Sequence, residues 1–451
     1  MANKKKTNKT AAVKKVNERK NLVPISRILG MKDISPVEHR YFKAILDKAS
    51  SFADLYSFHA VKTPIIESYD LYKKANRYNN DKEMYYVDCE KGEKSVLRPE
   101  ITQGIIRSYI ENEGSELPQP VRLYAIGPVF RKERMQTGRY RESNQFNLEV
   151  IGEAKPMAEA LLIISAYNFF KDLNISFQIQ INSLGKADCR KEYNARLLSF
   201  YKERGRRAKL CNNCKKNITT HPLALLDCKE DACQKLLSEV PQIADCLSDE
   251  SRDHFAKVLE YLDELNIPYN FNPYLVRGLS YYNDTVFEFW PMQEDGGLQA
   301  KLALAGGGRY DNLVESLGGK PTPAVGLAIG LERLLAKAKD KMIIPESPEE
   351  MVFLAQLGDQ AKIKSLILFE ELRLEGFNIR QSFSTDSLKI QMEEATRLKA
   401  KVSLILGKKE LMDETILFRD MESGVQETIA IKKVKEKLRK KINRKEGVIY
   451  G

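Results

Sequence analysis

The chain has no apolar run of the roughly 18–20 residues that a membrane-spanning helix needs, which excludes an integral helical membrane protein. Its first twenty residues hold eight Lys/Arg, one acidic residue (Glu18) and no hydrophobic stretch, so they do not read as a secretory signal. Cysteine is sparse and odd in number, seven in 451 residues, which argues against a secreted disulfide framework. Only four histidines occur, His39, His59, His221 and His254, all outside the chemistry-bearing segments described below. A histidine-based acid–base triad therefore has no support, and these residues read as surface or helix-packing side chains. A phosphate-cradling Walker loop is missing too, because Gly319-Lys320 is followed by Pro321 rather than Ser or Thr. Excess charge is confined: the first twenty residues carry +7 of the formal +11, leaving about +4 for the rest. Residues 1–21 read as a basic flexible tail, either an arm that touches nucleic acid or a solvated terminus.

With 43% hydrophobic and 30% charged residues the composition is that of a globular protein, and the length implies two or three domains. Ser35-Pro36 signals a helix start, and Val37, Tyr41, Phe42, Ile45, Leu46, Ala49 and Phe52 follow at helical spacing. An extended segment with Pro64 leads to Ile65-Ile66. Further strands are expected at Ser95–Leu97, Val121–Ile126, Ser176–Ile181, Thr285–Phe289 and Leu302–Ala305. Many strands with few regularly alternating helices predict an α+β fold, a mostly antiparallel sheet flanked by helices. From about 187 to 265 the pattern changes to charged helices, as in an insertion. Within it, Cys211-x2-Cys214 and Cys228-x4-Cys233 offer a four-thiolate set of candidate zinc ligands, or a group of reduced cysteines without metal. Pro345-Glu346-Ser347-Pro348 reads as a linker to a C-terminal α/β unit, with strands at Met351–Leu357, Val402–Gly407 and Thr415–Phe418. Helices are expected there at Ala361–Glu375 and Ser387–Leu398, and Lys432–Lys441 as a solvated basic helix.

Five segments are dense in ligand-type residues. In Phe130-Arg131-Lys132-Glu133-Arg134, strand alternation points Arg131 and Glu133 to one face, and the same parity groups Gln145, Asn147 and Glu149 beyond the intervening loop. Buried charges need partners, so such a hairpin points to a polar, charged ligand. Leu97 to Thr102 sets Glu100 and Thr102 together, suited to an ammonium group. Arg277-Gly278-Leu279-Ser280-Tyr281-Tyr282 offers an arginine and two phenols in a turn. The run Gly306-Gly307-Gly308-Arg309-Tyr310-Asp311 lets backbone approach a ligand closely. Ala324 to Leu334 leads into a helix carrying Arg333.

In this order the segments resemble the class II aminoacyl-tRNA synthetases, and specifically the histidyl-tRNA synthetases, over nearly the whole chain from about Asn21. The Pro64 region, Phe130–Glu149 and Ala324–Leu334 resemble the three class motifs. The Arg277–Tyr282 and Gly307–Asp311 segments resemble the two histidine-specific signatures. The resemblance implies a catalytic domain over 22–344 with an antiparallel core and the helical insertion, and an anticodon-binding domain over 350–451. It implies activation of L-histidine by ATP with Mg²⁺, transfer to tRNA(His), and a cytoplasmic homodimer. Arg277 and Arg131 would be catalytic, with Arg131, Glu133 and Arg333 on ATP. Glu100, Thr102 and Gln145 would hold the α-amino group, and Glu149 and Tyr282, with Tyr281 and Tyr310, the imidazole. Gln136, Arg139 and Arg141 would meet the tRNA acceptor end. Three positions depart from the family pattern: Ser143 where an aromatic stacks on adenine, Met135 for a loop proline, and Ser280 for an aspartate. The alternative is a synthetase-like regulatory paralogue of histidine biosynthesis without aminoacylation activity, which typically lacks both signatures and the anticodon unit.

Overall fold

The computed structural model describes residues 25–75, 83–89, 92–132, 139–292, 302–339, 341, 350–382 and 385–442. They form two compact units that divide at residues 342 and 343. Among the described residues no helix is long and apolar enough to cross a membrane.

The larger unit is built on strands β1 (His59–Ala60), β2 (Ile66–Ser68), β3 (Tyr85–Asp88), β4 (Lys94–Leu97), β5 (Val121–Phe130), β6 (Glu142–Ile151), β7 (Phe177–Ser183), β8 (Asn270–Phe271), β9 (Asn283–Pro291), β10 (Ala305–Arg309) and β11 (Ala324–Gly330). Eight of them make one sheet in the order β1-β5-β6-β11-β10-β9-β7-β8, antiparallel except at its two edges. A small antiparallel sheet, β2-β4-β3, stands apart from it. The expectation of a mostly antiparallel sheet flanked by helices therefore matches the architecture.

Alternation along each central strand separates two different environments. Phe146, Leu148, Val150, Phe287, Phe289, Val325, Leu327 and Ile329 join one apolar cluster with the helices Pro36–Leu55, Met157–Asp172 and Asp249–Glu264. Each fully buried phenylalanine in that layer contributes roughly 1.5–3 kcal/mol. The intervening residues face the other way and carry the polar site. Ser35 caps the first helix by accepting from the Glu38 amide, and Pro36 occupies its first turn. Phe42, Ile45, Ala49 and Phe52 are buried as the spacing requires, whereas Val37 in that first turn is exposed.

One strand lies almost wholly outside its expected range. The segment expected at Leu302–Ala305 begins only at Ala305 and runs through the glycines to Arg309, because backbone pairing with β9 and β11 overrides the low strand preference of glycine. The glycine run is thus a central strand. Similarly, β5 ends at Phe130, so Arg131 lies one residue past it; Glu133 and Gln136 fall outside the described residues.

The second unit has β12 (Met351–Gln356), β13 (Asn378–Gln381), β14 (Val402–Leu406), β15 (Thr415–Asp420) and β16 (Gln426–Ala430) in the order β13-β12-β14-β15-β16. Its helices Asp359–Leu374, Leu388–Arg397 and Val434–Lys441 pack on that sheet. The last is not purely solvated: Val434 and Leu438 are buried on one stripe while Arg439, Lys440 and Lys441 end it.

Candidate active site

Strand β6 sets the geometry. Ser143, Gln145 and Asn147 line a cavity of about 750 Å³, and Glu149, fully buried, continues the same face behind that lining. Thr102 Oγ1 donates to Glu149 Oε1 at 2.7 Å, and the Tyr310 hydroxyl donates to Glu149 Oε2 at 2.5 Å. Asn147 Nδ2 donates to both Thr102 Oγ1 (3.1 Å) and Glu149 Oε1 (3.2 Å). Burial pushes the Glu149 carboxyl up to about 7; hydrogen bonds from Tyr310, Thr102 and Asn147 oppose the rise, and nearby Glu100 adds to it. Gly326 pairs with Glu149 across β11, and a Cβ there would stand 1.5 Å from Glu149 Oε2. Only glycine leaves that carboxylate its place.

Glu100 lies beside this group. Tyr281 donates to Glu100 Oε2 at 3.1 Å, while Glu100 Oε1, Gln145 Oε1 and Asn147 Oδ1 are buried with no hydrogen-bond partner among the described residues. Burial raises the Glu100 pKa, with the Arg131 charge opposing it. Tyr281, Tyr282 and Tyr310 form an aromatic trio with ring centroids 4.7–6.4 Å apart. Tyr310 makes the phenol contact to Glu149, and the Tyr282 ring lies 5.6 Å from the Arg277 guanidinium. Thr102, which also lines the cavity, donates its hydroxyl proton to Glu149 and accepts from Asn147.

Arg131, Arg277 and Arg333 all line the same cavity. Arg131 Nε donates to the Pro99 carbonyl (2.7 Å) and Arg333 Nη1 to the Ala303 carbonyl (2.7 Å), which anchors both side chains at the wall. Arg277 is ion-paired with Glu288 on β9. Burial alone would weaken its hold on the proton, but Glu288 and the neighbouring phenols outweigh that and keep it charged. Gly306 makes room for it, since a Cβ there would lie 2.2 Å from Arg277 Nη1. Arg139 also lines the cavity, whereas Arg141 is turned to the Leu29 carbonyl at 3.2 Å. The cavity thus joins a carboxylate–phenol end to a wall of fixed cations, the pairing that an amino acid and a nucleoside triphosphate would require together.

A family model described as histidyl-tRNA synthetase matches residues 30–334, and one described as an anticodon binding domain matches residues 351–441. The chain belongs to the histidyl-tRNA synthetase family. It is 38% identical over 417 residues to the histidine–tRNA ligase of Natranaerobius thermophilus, covering 91% of this chain and 97% of that one. With the histidine–tRNA ligase of Dehalococcoides mccartyi it shares 37% identity over 418 residues, 92% of this chain and 99% of the relative. Among solved structures, apo S. aureus histidyl-tRNA synthetase is similar at a TM-score of 0.74 and 31% identity, covering 92% of this chain and 99% of that one.

Several residues of this site carry no signal in the family signatures as read from sequence. Glu288, the Arg277 partner, reads as an ordinary strand residue; only its parity with Val286 and Trp290 could have placed it on the polar face. Glu332 accepts from the amide and side chain of Asn144, tying the helix Leu331–Ala338 to β6. Arg309, inside a signature, points away from the cavity: it is 1% exposed and pairs with the fully buried Glu159 at 2.5 Å. His254 also binds Glu159, at 2.6 Å, so it packs between the helices Met157–Asp172 and Asp249–Glu264 and braces a buried ion pair, the helix-packing role expected of it. Among the described residues, the one cluster of metal-ligand type is Cys211, Cys214, Cys228 and Cys233.

Proposed function

We propose that the chain joins L-histidine to tRNA(His) in two steps: ATP and histidine give histidyl-adenylate and pyrophosphate, and the histidyl group then passes to the 3′ end of the tRNA. The observation that carries this reading is Glu149, a fully buried carboxylate with its pKa at about 7, held by Tyr310 and Thr102 directly behind the lining of the cavity that Arg131, Arg277 and Arg333 share. Neutral imidazole has one donor and one acceptor nitrogen. A carboxylate and a phenol satisfy both, and analogues lacking either leave buried groups unpaired, a loss often worth ~10⁴-fold in selectivity.

Glu100 and Gln145, each with a buried oxygen lacking a partner among the described residues, would accept from the histidine ammonium, and Thr102 would orient Glu149. Tyr281 would orient Glu100, and Tyr282 would close the imidazole slot and stack on Arg277. In activation a histidine carboxylate oxygen bonds to the α-phosphorus as the bond to the pyrophosphate oxygen breaks; no proton has to move. Charge gathers on the phosphoryl oxygens, and fixed cations aimed there lower the barrier most. Arg131 would hold the α-phosphate, Arg333 the γ-phosphate and adenine, and Arg277 would align carboxylate and phosphate, an orientation effect of several kcal/mol. Glu133 is assigned to ATP by resemblance alone. Mg²⁺ takes oxygen donors, which Glu83 and Glu332 offer at the cavity wall, and when bound it neutralises the polyphosphate.

Residues 22–344 would form the catalytic domain and 350–451 the anticodon-binding domain, with Gln136, Arg139 and Arg141 toward the acceptor end. Affinity for tRNA would be salt-sensitive. A cytoplasmic homodimer is proposed from family membership. Histidine-dependent ATP–pyrophosphate exchange, followed by charging of tRNA(His), tests the reading. Exchange that histidine fails to stimulate would refute it and favour a regulatory paralogue.

A further inference from the structure

We propose that Cys211, Cys214, Cys228 and Cys233 bind one Zn²⁺ through four thiolates, and that this ion fixes the Asp227–Lys229 wall of the catalytic cavity. The four sulfur atoms all lie within 4.8 Å of one another, and Cys211 Sγ is 3.8 Å from Cys228 Sγ. In a regular tetrahedron with Zn–S bonds of about 2.3 Å the sulfurs stand about 3.8 Å apart, so one edge already has the required length and the rest close with small side-chain shifts. A disulfide needs about 2 Å, and all four cysteines are free thiols. The Cys214 amide donates to Cys211 Sγ (3.4 Å) and the Cys211 amide to Cys233 Sγ (3.3 Å), contacts that orient the sulfur atoms.

The surrounding chain has reason to need such a clamp. Between residues 206 and 237 the α-helices span only four to seven residues each, Arg206–Lys209, Asn212–Asn217 and Asp231–Leu237. Helices this short are unstable on their own and depend on tertiary ties. A closed set of four soft ligands selects zinc over the hard cations and leaves no open position for substrate, which makes the site structural.

Its place in the fold gives it a second consequence. Cys228 stands between Asp227 and Lys229, and both of those residues line the cavity of Arg131, Arg277 and Arg333. Lys229 Nζ donates to Asp227 Oδ1 at 2.7 Å and lies 5.8 Å from the Trp290 ring, which lines the same cavity. A metal bond to Cys228 would therefore hold the backbone one residue away from each wall side chain. This second half of the proposal rests on the cavity being the ATP and histidine site; the first half does not.

The test uses the full chain, purified reduced and without added metal. Elemental analysis should find one zinc per chain, and native thiol titration should show the four ligand thiols becoming reactive only when a strong chelator is added, with exposed Cys89 reactive throughout and buried Cys189 and Cys246 slow in both states. After stripping, Co²⁺ should restore one ion per chain with the intense thiolate charge-transfer absorption of a tetrahedral site. Cys228→Ser should lose the metal, and where that variant does not fold, the stripped wild-type protein provides the same comparison. Stripping should raise the KM for ATP in pyrophosphate exchange on the order of tenfold, reversed by zinc. Thiol reactivity that the chelator leaves unchanged, with no cobalt uptake, would overturn the site. Bound zinc whose removal leaves both ATP and histidine KM unchanged would overturn the wall. Absence of exchange in the zinc-loaded protein would count against the synthetase reading, and the metal and thiol measurements would still decide the site.

Discussion

Replacing Glu149 by Gln isolates the energetic consequence of burying a carboxylate in the proposed histidine pocket. Glutamine matches the shape, can still accept from Thr102, and has no charge to desolvate at any pH. The wild-type carboxyl sits at about 7 against an ordinary 4.5, and each pKa unit is about 1.36 kcal/mol, so ionising it in the folded chain costs on the order of 3 kcal/mol. The sign follows from proton linkage. Between about pH 4.5 and 7 the folded protein binds more protons here than the unfolded chain does, so this contribution to stability is complete below 4.5 and lost as pH rises through 7. Glu149→Gln should therefore be more stable than wild type by about 2–3 kcal/mol near pH 8, with the gap shrinking toward about pH 5. Urea unfolding at several pH values, followed by the fluorescence of the single tryptophan, Trp290 in β9, measures it in the catalytic unit. A gap that stays constant with pH, or a variant less stable at the alkaline end, would refute the reasoning. Histidine-dependent exchange should fall in the same variant, because the neutral amide cannot complement an imidazole N–H as a carboxylate does; Glu149→Ala should lose selectivity as well.

Ser143→Phe should lower the KM for ATP, since Ser143 lines the cavity where the family places a stacking aromatic; an unchanged KM would mean that adenine is held otherwise. Arg277→Lys keeps a charge but loses the planar fork that meets carboxylate and phosphate together, so kcat for pyrophosphate exchange should drop about 10²-fold, and a wild-type rate would remove Arg277 from the aligning role. Glu159→Ala leaves the buried Arg309 charge without its main partner and should destabilise the catalytic unit by about 3–5 kcal/mol in urea unfolding; a change below 1 kcal/mol, well under that range, would show that Asp311 and the Glu153 and Lys155 carbonyls suffice.

What could be read from the sequence was what covalent geometry dictates locally. Side chains on a strand alternate, so Gln145, Asn147 and Glu149 had to share a face, and they do. The first helix was legible because Ser35 and Pro36 act within one turn. Pairings that span the chain were not legible. Nothing near Glu149 announces that Tyr310, 161 residues away, bonds to its carboxylate. His254 gave no sign of joining Glu159 across 95 residues. Short polar edge strands such as β13 and β16 escaped because they lack an apolar alternation, and β10 was misplaced because its residues are mostly glycine.

The glycines of β10 and β11 follow from the same problem that makes the site improbable: a β-sheet interior has no spare volume for charged side chains. At Gly326 a methyl group would overlap Glu149, and at Gly306 it would overlap Arg277. Each glycine trades strand propensity and backbone order, up to about 1 kcal/mol apiece, for a slot in which a buried charge can lie against the strand. Those losses have to be offset elsewhere, and the opposite face of the same strands does so. Phe287 and Phe289 flank Glu288, and Val325 and Leu327 flank Gly326, all committed to the apolar layer under the helices. Alternation lets one strand carry both demands, residue by residue. The polar cavity can therefore be neither widened nor shifted along the strand without driving an aromatic ring into it, because a register slip of one residue exchanges the two faces.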